Sequence, residues 1–112
     1  MQQVRVTDLP ALVASFGDGA RPVVLDVREP WEVATAALSL AGAPTVCIPM
    51  NEVPGRLAEL DTTQPVLSLC HHGMRSLQVA HFLERQGFEQ VFNIAGGIDA
   101  WSREVDASVP LY

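Results

Sequence analysis

The sequence predicts an α/β fold in which a parallel sheet is covered by helices on both faces. Short runs of β-branched residues alternate along the chain with longer stretches of helical apolar spacing, and this alternation is typical of such a sheet. The chain has 112 residues, of which 48% are hydrophobic and 18% are charged, so one core within a single domain, residues 1–112, is expected.

The first predicted helix and strand lie near the start of the chain. Thr7 and Asp8 precede an apolar helical spacing that begins at Leu9, which predicts a helix with a capped start. Two nearby glycines end this helix. Residues 23–27, Val-Val-Leu-Asp-Val, then form the clearest early strand.

The next three predicted elements are a helix, a strand and a short second helix. Pro30 suits a first helical position, so a helix is expected from there to about residue 37. Residues 45–48 predict a short buried strand, in which Cys47 is expected to be a structural core residue. Asn51 is expected to cap a further helix that runs to about residue 60.

The second half of the chain is more regular. Residues 66–69 predict a strand, and the apolar spacing from Ser76 onward predicts a helix that ends at Gly87. Residues 91–94 predict the next strand, and a short helix carrying Trp101 follows a pair of glycines. Strands and helices thus alternate to the end of the chain, as the predicted fold requires.

The segment most informative about function is residues 70–76, Cys-His-His-Gly-Met-Arg-Ser, which joins a predicted strand to a predicted helix. Ligands bind beyond the carboxyl ends of strands in open α/β sheets, where such a loop points several backbone N–H groups at one spot. A cysteine in this setting is commonly ionised at neutral pH, because the amides and the helix dipole stabilise a thiolate. Cys70 is therefore the expected nucleophile.

The other residues of this loop are expected to form a binding site around the thiol. Gly73 suits a tight loop because it can adopt positive φ angles and has no side chain to block the cavity. Arg75 offers a planar fork to an oxyanion, and Ser76 is expected to be the N-cap of the next helix. Main-chain amides of the remaining loop residues are expected to line the cavity, namely His71, His72 and Met74.

A metal site is not expected in this loop. His71 and His72 adjoin Cys70, but three consecutive residues seldom point their side chains at one ion, and zinc ligands are usually spaced along the chain. The imidazoles are expected to face the rim of the cavity. Asp26 and Arg28, at the end of the early strand, are expected to fix the loop geometry from outside the site through hydrogen bonds and an ion pair.

Several of these segments together resemble the single-domain rhodaneses, a family of thiosulfate and persulfide sulfurtransferases. The resemblance covers nearly the whole chain and implies a rhodanese-like fold with a central parallel sheet of about five strands. The matching segments are Asp26-Val27-Arg28-Glu29, Gly42-Ala43, the loop of residues 70–76, and Gly96-Gly97-Ile98 with Trp101.

The resemblance also implies a reaction. Cys70 would attack the outer sulfur of a donor such as thiosulfate or a persulfide, become a persulfide itself, and pass this sulfur to cyanide or a thiol. No metal or organic cofactor is required. Four residues separate Cys70 from Arg75, as in the sulfurtransferases of this fold, whereas the related cell-cycle phosphatases have five.

Two other classes of function stay open at this point. The chain is alternatively a noncatalytic persulfide carrier, or an interaction module for a partner protein, because such a protein uses the same sulfur chemistry without turnover. A sulfur-accepting protein is a candidate partner in either case. A phosphatase or an arsenate reductase is a more distant alternative.

Charge and hydropathy limit the expected partners and location. The chain has 7 basic and 13 acidic residues, a formal charge of -6, so a nucleic-acid backbone is not an expected partner. The first residues lack the pattern of a secretory signal, and no apolar run is as long as a membrane span. A cytoplasmic monomer without membrane contact is expected, in which a reducing compartment keeps Cys47 and Cys70 as thiols.

Overall fold

A five-stranded parallel sheet lies at the centre of the computed structural model, which describes all residues from 1 to 112. The spatial order is β1-β5-β4-β2-β3, and every neighbouring pair is parallel. This arrangement confirms the predicted fold class. The strands are β1 (Gln2–Arg5), β2 (Val23–Asp26), β3 (Thr45–Cys47), β4 (Val66–Leu69) and β5 (Val91–Ala95).

Helices cover both faces of the sheet, each over its own apolar cluster. One cluster contains Leu9 and Trp101 together with Leu67 and Leu69 of β4, and the other contains Val66 of the same strand. Successive side chains of a strand point to opposite faces, so β4 supplies both clusters. The helices are α1 (Leu9–Ser15), α2 (Pro30–Thr35), α3 (Met74–Arg85) and α4 (Gly97–Glu104).

The edges of the sheet differ from the sequence prediction. Residues 2–5 form β1, which was not predicted because its polar Gln2 and Gln3 hide the strand pattern; both side chains are exposed, since this strand pairs only with β5. The strand at residues 45–47 is the opposite edge, so the prediction that it is buried is wrong. Cys47 at its end is exposed, and its assignment to the core is also wrong.

The segment after β3 folds into two 3-10 segments, Met50–Glu52 and Pro54–Glu59. The prediction of an α-helix capped by Asn51 is therefore wrong. Pro54 lacks an N–H donor and Gly55 has weak helical preference, so a continuous α-helix is disfavoured here. None of the helices of this structure has both the length and the apolar character that crossing a bilayer demands.

Candidate active site at the carboxyl end of the sheet

Cys70 lies at the carboxyl end of β4, which is the central strand of the sheet, and α3 begins only four residues later at Met74. Gly73 is the residue before the helix and has a φ of 102°, a conformation that glycine adopts without steric cost. The expected positive φ at this position is thus present. The prediction of Ser76 as N-cap is wrong, because the helix already starts at Met74 and Ser76 lies buried in its first turn.

The sulfur of Cys70 has two polar neighbours within the loop. Its Sγ accepts a hydrogen bond from the Gly73 N–H at 3.1 Å, and Ser76 Oγ lies 3.3 Å from it. The same hydroxyl donates to Asn93 Oδ1 at 2.6 Å. Asn93, buried in β5, also donates through Nδ2 to the Gly73 carbonyl at 3.2 Å. One amide side chain therefore holds both the loop and the hydroxyl beside the sulfur.

Burial controls access to this sulfur. Cys70 is 1% exposed, although the neighbouring loop residues His72 and Met74 are exposed. The site therefore combines a sheltered thiol with an exposed rim.

The start of α4 packs directly on the backbone of the loop. The Ile98 N–H donates to the Cys70 carbonyl at 2.9 Å, and the Asp99 N–H donates to the His71 carbonyl at 3.1 Å. Gly97 has a φ of 59°, and a Cβ atom there would lie 2.4 Å from both carbonyl oxygens. Only glycine permits this close approach, which explains the glycine at the first position of α4.

Arg75 forms an ion pair with a carboxylate of α2. Its two terminal nitrogens donate to the Oε2 and Oε1 atoms of Glu32 at 2.7 and 2.8 Å. Hydrogen bonds from Arg75 lower the pKa of Glu32 from 4.5 to about 2, so this carboxylate is ionised at neutral pH. The sequence predicted a guanidinium fork free to bind an anionic donor, and the structure instead places the fork on Glu32.

Asp26 and Arg28 form the expected ion pair, and it is fully buried. Arg28 Nε and Nη2 donate to the two oxygens of Asp26 at 2.9 and 2.7 Å. The remaining guanidinium N–H groups donate to the Glu32 and Ala36 carbonyls and to the Tyr112 hydroxyl. All five donors are thereby used, so Arg28 is a structural link between β2, α2 and the chain end.

Tyr112 connects this buried arginine to the loop. Its hydroxyl donates to Glu32 Oε1 at 3.0 Å, and its ring stacks on His71 with centroids 3.8 Å apart and planes 6° from parallel. His72 stacks on His71 at 3.9 Å. Burial, followed by the neighbouring His72, lowers the pKa of His71, so its imidazole is neutral at pH 7.

The two histidines also lie near Asp99, with potential ligand atoms of the three side chains within 4.8 Å of one another. The stacked imidazole planes differ by only 28°, so their in-plane lone pairs lie in nearly parallel planes and do not converge on one point. Asp99 moreover accepts a hydrogen bond from Arg103 at 2.9 Å. This arrangement does not fit the tetrahedral geometry of a zinc site.

Three residues belong to the site but were not predicted from the sequence to do so: Glu32, Asn93 and Tyr112. Glu32 lies in the first turn of the helix predicted to begin at Pro30, where it also accepts a hydrogen bond from the Glu29 N–H. Asn93 carries a usable signal, because it is a polar side chain within an otherwise apolar strand. The sequence around Tyr112 gives no comparable signal, since its contacts are with distant residues.

Comparison with known proteins shows similarity to rhodanese-like domains and to a sulfurtransferase. A family model described as a rhodanese-like domain matches residues 9–104. A chloroplastic protein of Arabidopsis thaliana, Rhodanese-like/PpiC domain-containing protein 12, is 41% identical over 93 residues; these cover 80% of this chain and only 30% of that relative. A protein of Allochromatium vinosum named Sulfurtransferase is 32% identical over 100 residues, which cover 89% of this chain and 90% of that protein.

The structural comparison extends over the entire chain. The crystal structure of a rhodanese-related protein from Thermoplasma volcanium superposes with a TM-score of 0.76 and 28% sequence identity. The match covers 100% of both chains. The arrangement of strands and helices described above is therefore that of this solved structure.

Proposed function

Because the chain belongs to the rhodanese-like domain family and its relatives indicate rhodanese-type sulfur transfer, we propose that it carries sulfane sulfur as a persulfide on Cys70. In the first step the Cys70 thiolate attacks the outer sulfur of a donor such as thiosulfate or a persulfide. A new S–S bond forms, and the donor's S–S bond breaks with its electron pair leaving on sulfite or a thiolate. In the second step cyanide or a thiolate attacks the terminal sulfur, and Cys70 leaves as a thiolate.

The position of Sγ supports this proposal most directly. The sulfur lies at the start of a twelve-residue helix and accepts the Gly73 N–H, and both features stabilise negative charge on sulfur. A thiolate is the required nucleophile, and a terminal persulfide sulfur bears the same charge. These residues supply what the two steps need without a cofactor.

A matched pair of cysteine variants tests the proposal. Cys70→Ser is expected to abolish sulfur loading, because a hydroxyl cannot form a persulfide, and to leave the fold intact because the two side chains are close in size. Cys47→Ser is expected to load normally, since Cys47 is an exposed thiol at the edge of the sheet. Intact mass spectrometry after incubation with a sulfane donor detects the extra sulfur atom, and cyanide or a reductant should remove it. Loading that survives in Cys70→Ser would refute the proposal.

A carrier role is the second candidate, favoured by the 1% exposure of Cys70. A buried persulfide is released slowly unless an acceptor protein opens the loop. Steady thiocyanate production from thiosulfate or a thiosulfonate with cyanide supports the enzyme, whereas one stoichiometric loading without turnover supports the carrier. A phosphatase or arsenate reductase is disfavoured by the four-residue spacing between Cys70 and Arg75.

This chemistry would operate where thiols stay reduced. A monomer in a reducing compartment such as the cytoplasm would keep both cysteines as thiols. Small sulfane donors would supply the sulfur, and cyanide, a small thiol or a sulfur-accepting protein would receive it.

A further inference from the structure

The balance of charge around the Cys70 loop has a direct bearing on which donors can load it. All seven basic residues of the chain are arginines. Three of them lie close to the loop, and each is matched by one carboxylate: Arg75 by Glu32, Arg28 by Asp26, and Arg103 by Asp99. The three pairs have a net charge of zero.

The pair nearest to the thiol is closely matched in geometry as well as in charge. Arg75 and Glu32 share two parallel hydrogen bonds of 2.7 and 2.8 Å, which is the bidentate arrangement that arginine forms with carboxylates. The side chain of Glu32 is only 5% exposed, so the ionised carboxylate depends on this arginine. If Arg75 turned to bind a donor, the buried carboxylate of Glu32 would therefore lose its cationic partner.

The two arginines without a carboxylate partner, Arg5 and Arg85, have backbone positions well separated from that of Cys70. Arg5 ends β1, which is two strands away from β4, a separation of about 10 Å at ordinary strand spacing. Arg85 lies at the far end of α3, about 16 Å along the helix axis from its start. Both backbone separations exceed the screening length of about 8 Å at physiological ionic strength.

A sulfane donor that approaches Cys70 therefore encounters a negative thiolate, and each arginine close to the loop is already paired with a carboxylate. Thiosulfate brings two negative charges to that thiolate, whereas a persulfide or a thiosulfonate brings one or none. On this basis, and resting on the proposed function, we propose that the site selects persulfide-type donors of low negative charge over the thiosulfate dianion. Glu32 determines this preference because it cancels the charge of Arg75.

Two donors with the same sulfonyl–sulfur linkage isolate the effect of charge. Methanethiosulfonate replaces one charged oxygen of thiosulfate by a methyl group and is a monoanion. The second-order rate constant for loading Cys70 is measured for each donor by quenched intact mass spectrometry, so no acceptor is involved. Work at about pH 8 keeps ordinary imidazoles neutral.

The wild type gives a first, mutation-free result. Raising the ionic strength from 0.01 to 0.15 M screens like charges, so thiosulfate loading is expected to rise roughly two- to fourfold and methanethiosulfonate loading by less than twofold. Methanethiosulfonate is also expected to load faster at low salt. Thiosulfate loading that falls with salt would overturn the proposal, because a free cation would then be attracting the dianion.

Glu32→Gln gives the second result. It preserves the size of the side chain, frees the charge of Arg75, and is expected to accelerate thiosulfate loading at low salt by several-fold and to remove its increase with salt. Glu89→Gln is the matched control: it removes the same charge from an exposed position just before β5, at the amino end of the strands and so opposite the site, and should behave as wild type. Equal behaviour of the two variants would overturn the role of Glu32. If neither donor loads wild-type protein, the proposed function itself fails, and the inference with it.

Discussion

Substitution of Gly97 by alanine is expected to disturb the active-site loop from the opposite helix. The added Cβ would lie 2.4 Å from the carbonyl oxygens of Cys70 and His71. The shortest ordinary C–H···O contacts are about 3.3 Å, so the backbones must separate by about 0.9 Å. Both carbonyls accept hydrogen bonds from α4, from Ile98 and Asp99, and this separation weakens them.

The free-energy cost has two parts. Alanine in the left-handed conformation, here with φ of 59°, costs about 1–2 kcal/mol. Overpacking of a close contact adds about 1–3 kcal/mol. We therefore expect the free energy of unfolding to fall by about 2–5 kcal/mol, a large share of the usual 5–15 kcal/mol.

The variant Gly87→Ala measures the cost of the left-handed conformation without the cost of overpacking. Gly87 has a similar left-handed φ of 92° at the end of α3, but a Cβ there would meet nothing within 4 Å. This control should lose only about 1–2 kcal/mol and should load sulfur at the wild-type rate. Urea unfolding measures the free energies, and intact mass spectrometry measures loading. Equal destabilisation by both variants, with normal loading in each, would refute the argument that Gly97 is required for contact with the loop.

Two further predictions concern the network around Arg75. The lowered pKa of Glu32 stabilises the fold at pH values above the ordinary carboxyl range, and this stability is lost as the pH falls from 4.5 towards 2. We expect the free energy of unfolding to fall by about 2 kcal/mol over this range, after allowing for the partial exposure of Arg75. Arg75→Ala should remove that part of the pH dependence in urea unfolding, and an unchanged slope would contradict the assignment. Tyr112→Phe keeps the ring on His71 but deletes the hydroxyl shared by Arg28 and Glu32, so it should lower the free energy of unfolding by about 1–3 kcal/mol. A neutral result in urea unfolding would show that water replaces the hydroxyl at no cost.

The sequence predicts features set by neighbouring residues better than features set by tertiary contacts. The strand before Cys70 and the helix after it are local patterns, and both are present in the structure. The partner of Arg75 is 43 residues away in α2, and the Tyr112 hydroxyl bonds to residues 80 and 84 positions earlier, so no spacing rule identifies either. These contacts exist only after the sheet has brought α2, the loop and the chain end together.

The two edges of the sheet illustrate the same limit. A short β-branched run such as residues 45–47 has the same local pattern whether it lies in the middle of a sheet or at its edge. Strand order decides between them, and strand order depends on long-range packing. Cys47 was therefore assigned to the core from its neighbours alone, whereas its position beside a single partner strand leaves it exposed.

The 1% exposure of Cys70 has a consequence for how a stored sulfur would survive. Bulky cellular reductants have little access to a residue this deeply buried, so a loaded persulfide would persist between deliveries. Discharge would then follow the frequency with which the loop opens, and a partner that holds the loop open would set the timing of release without altering the chemistry.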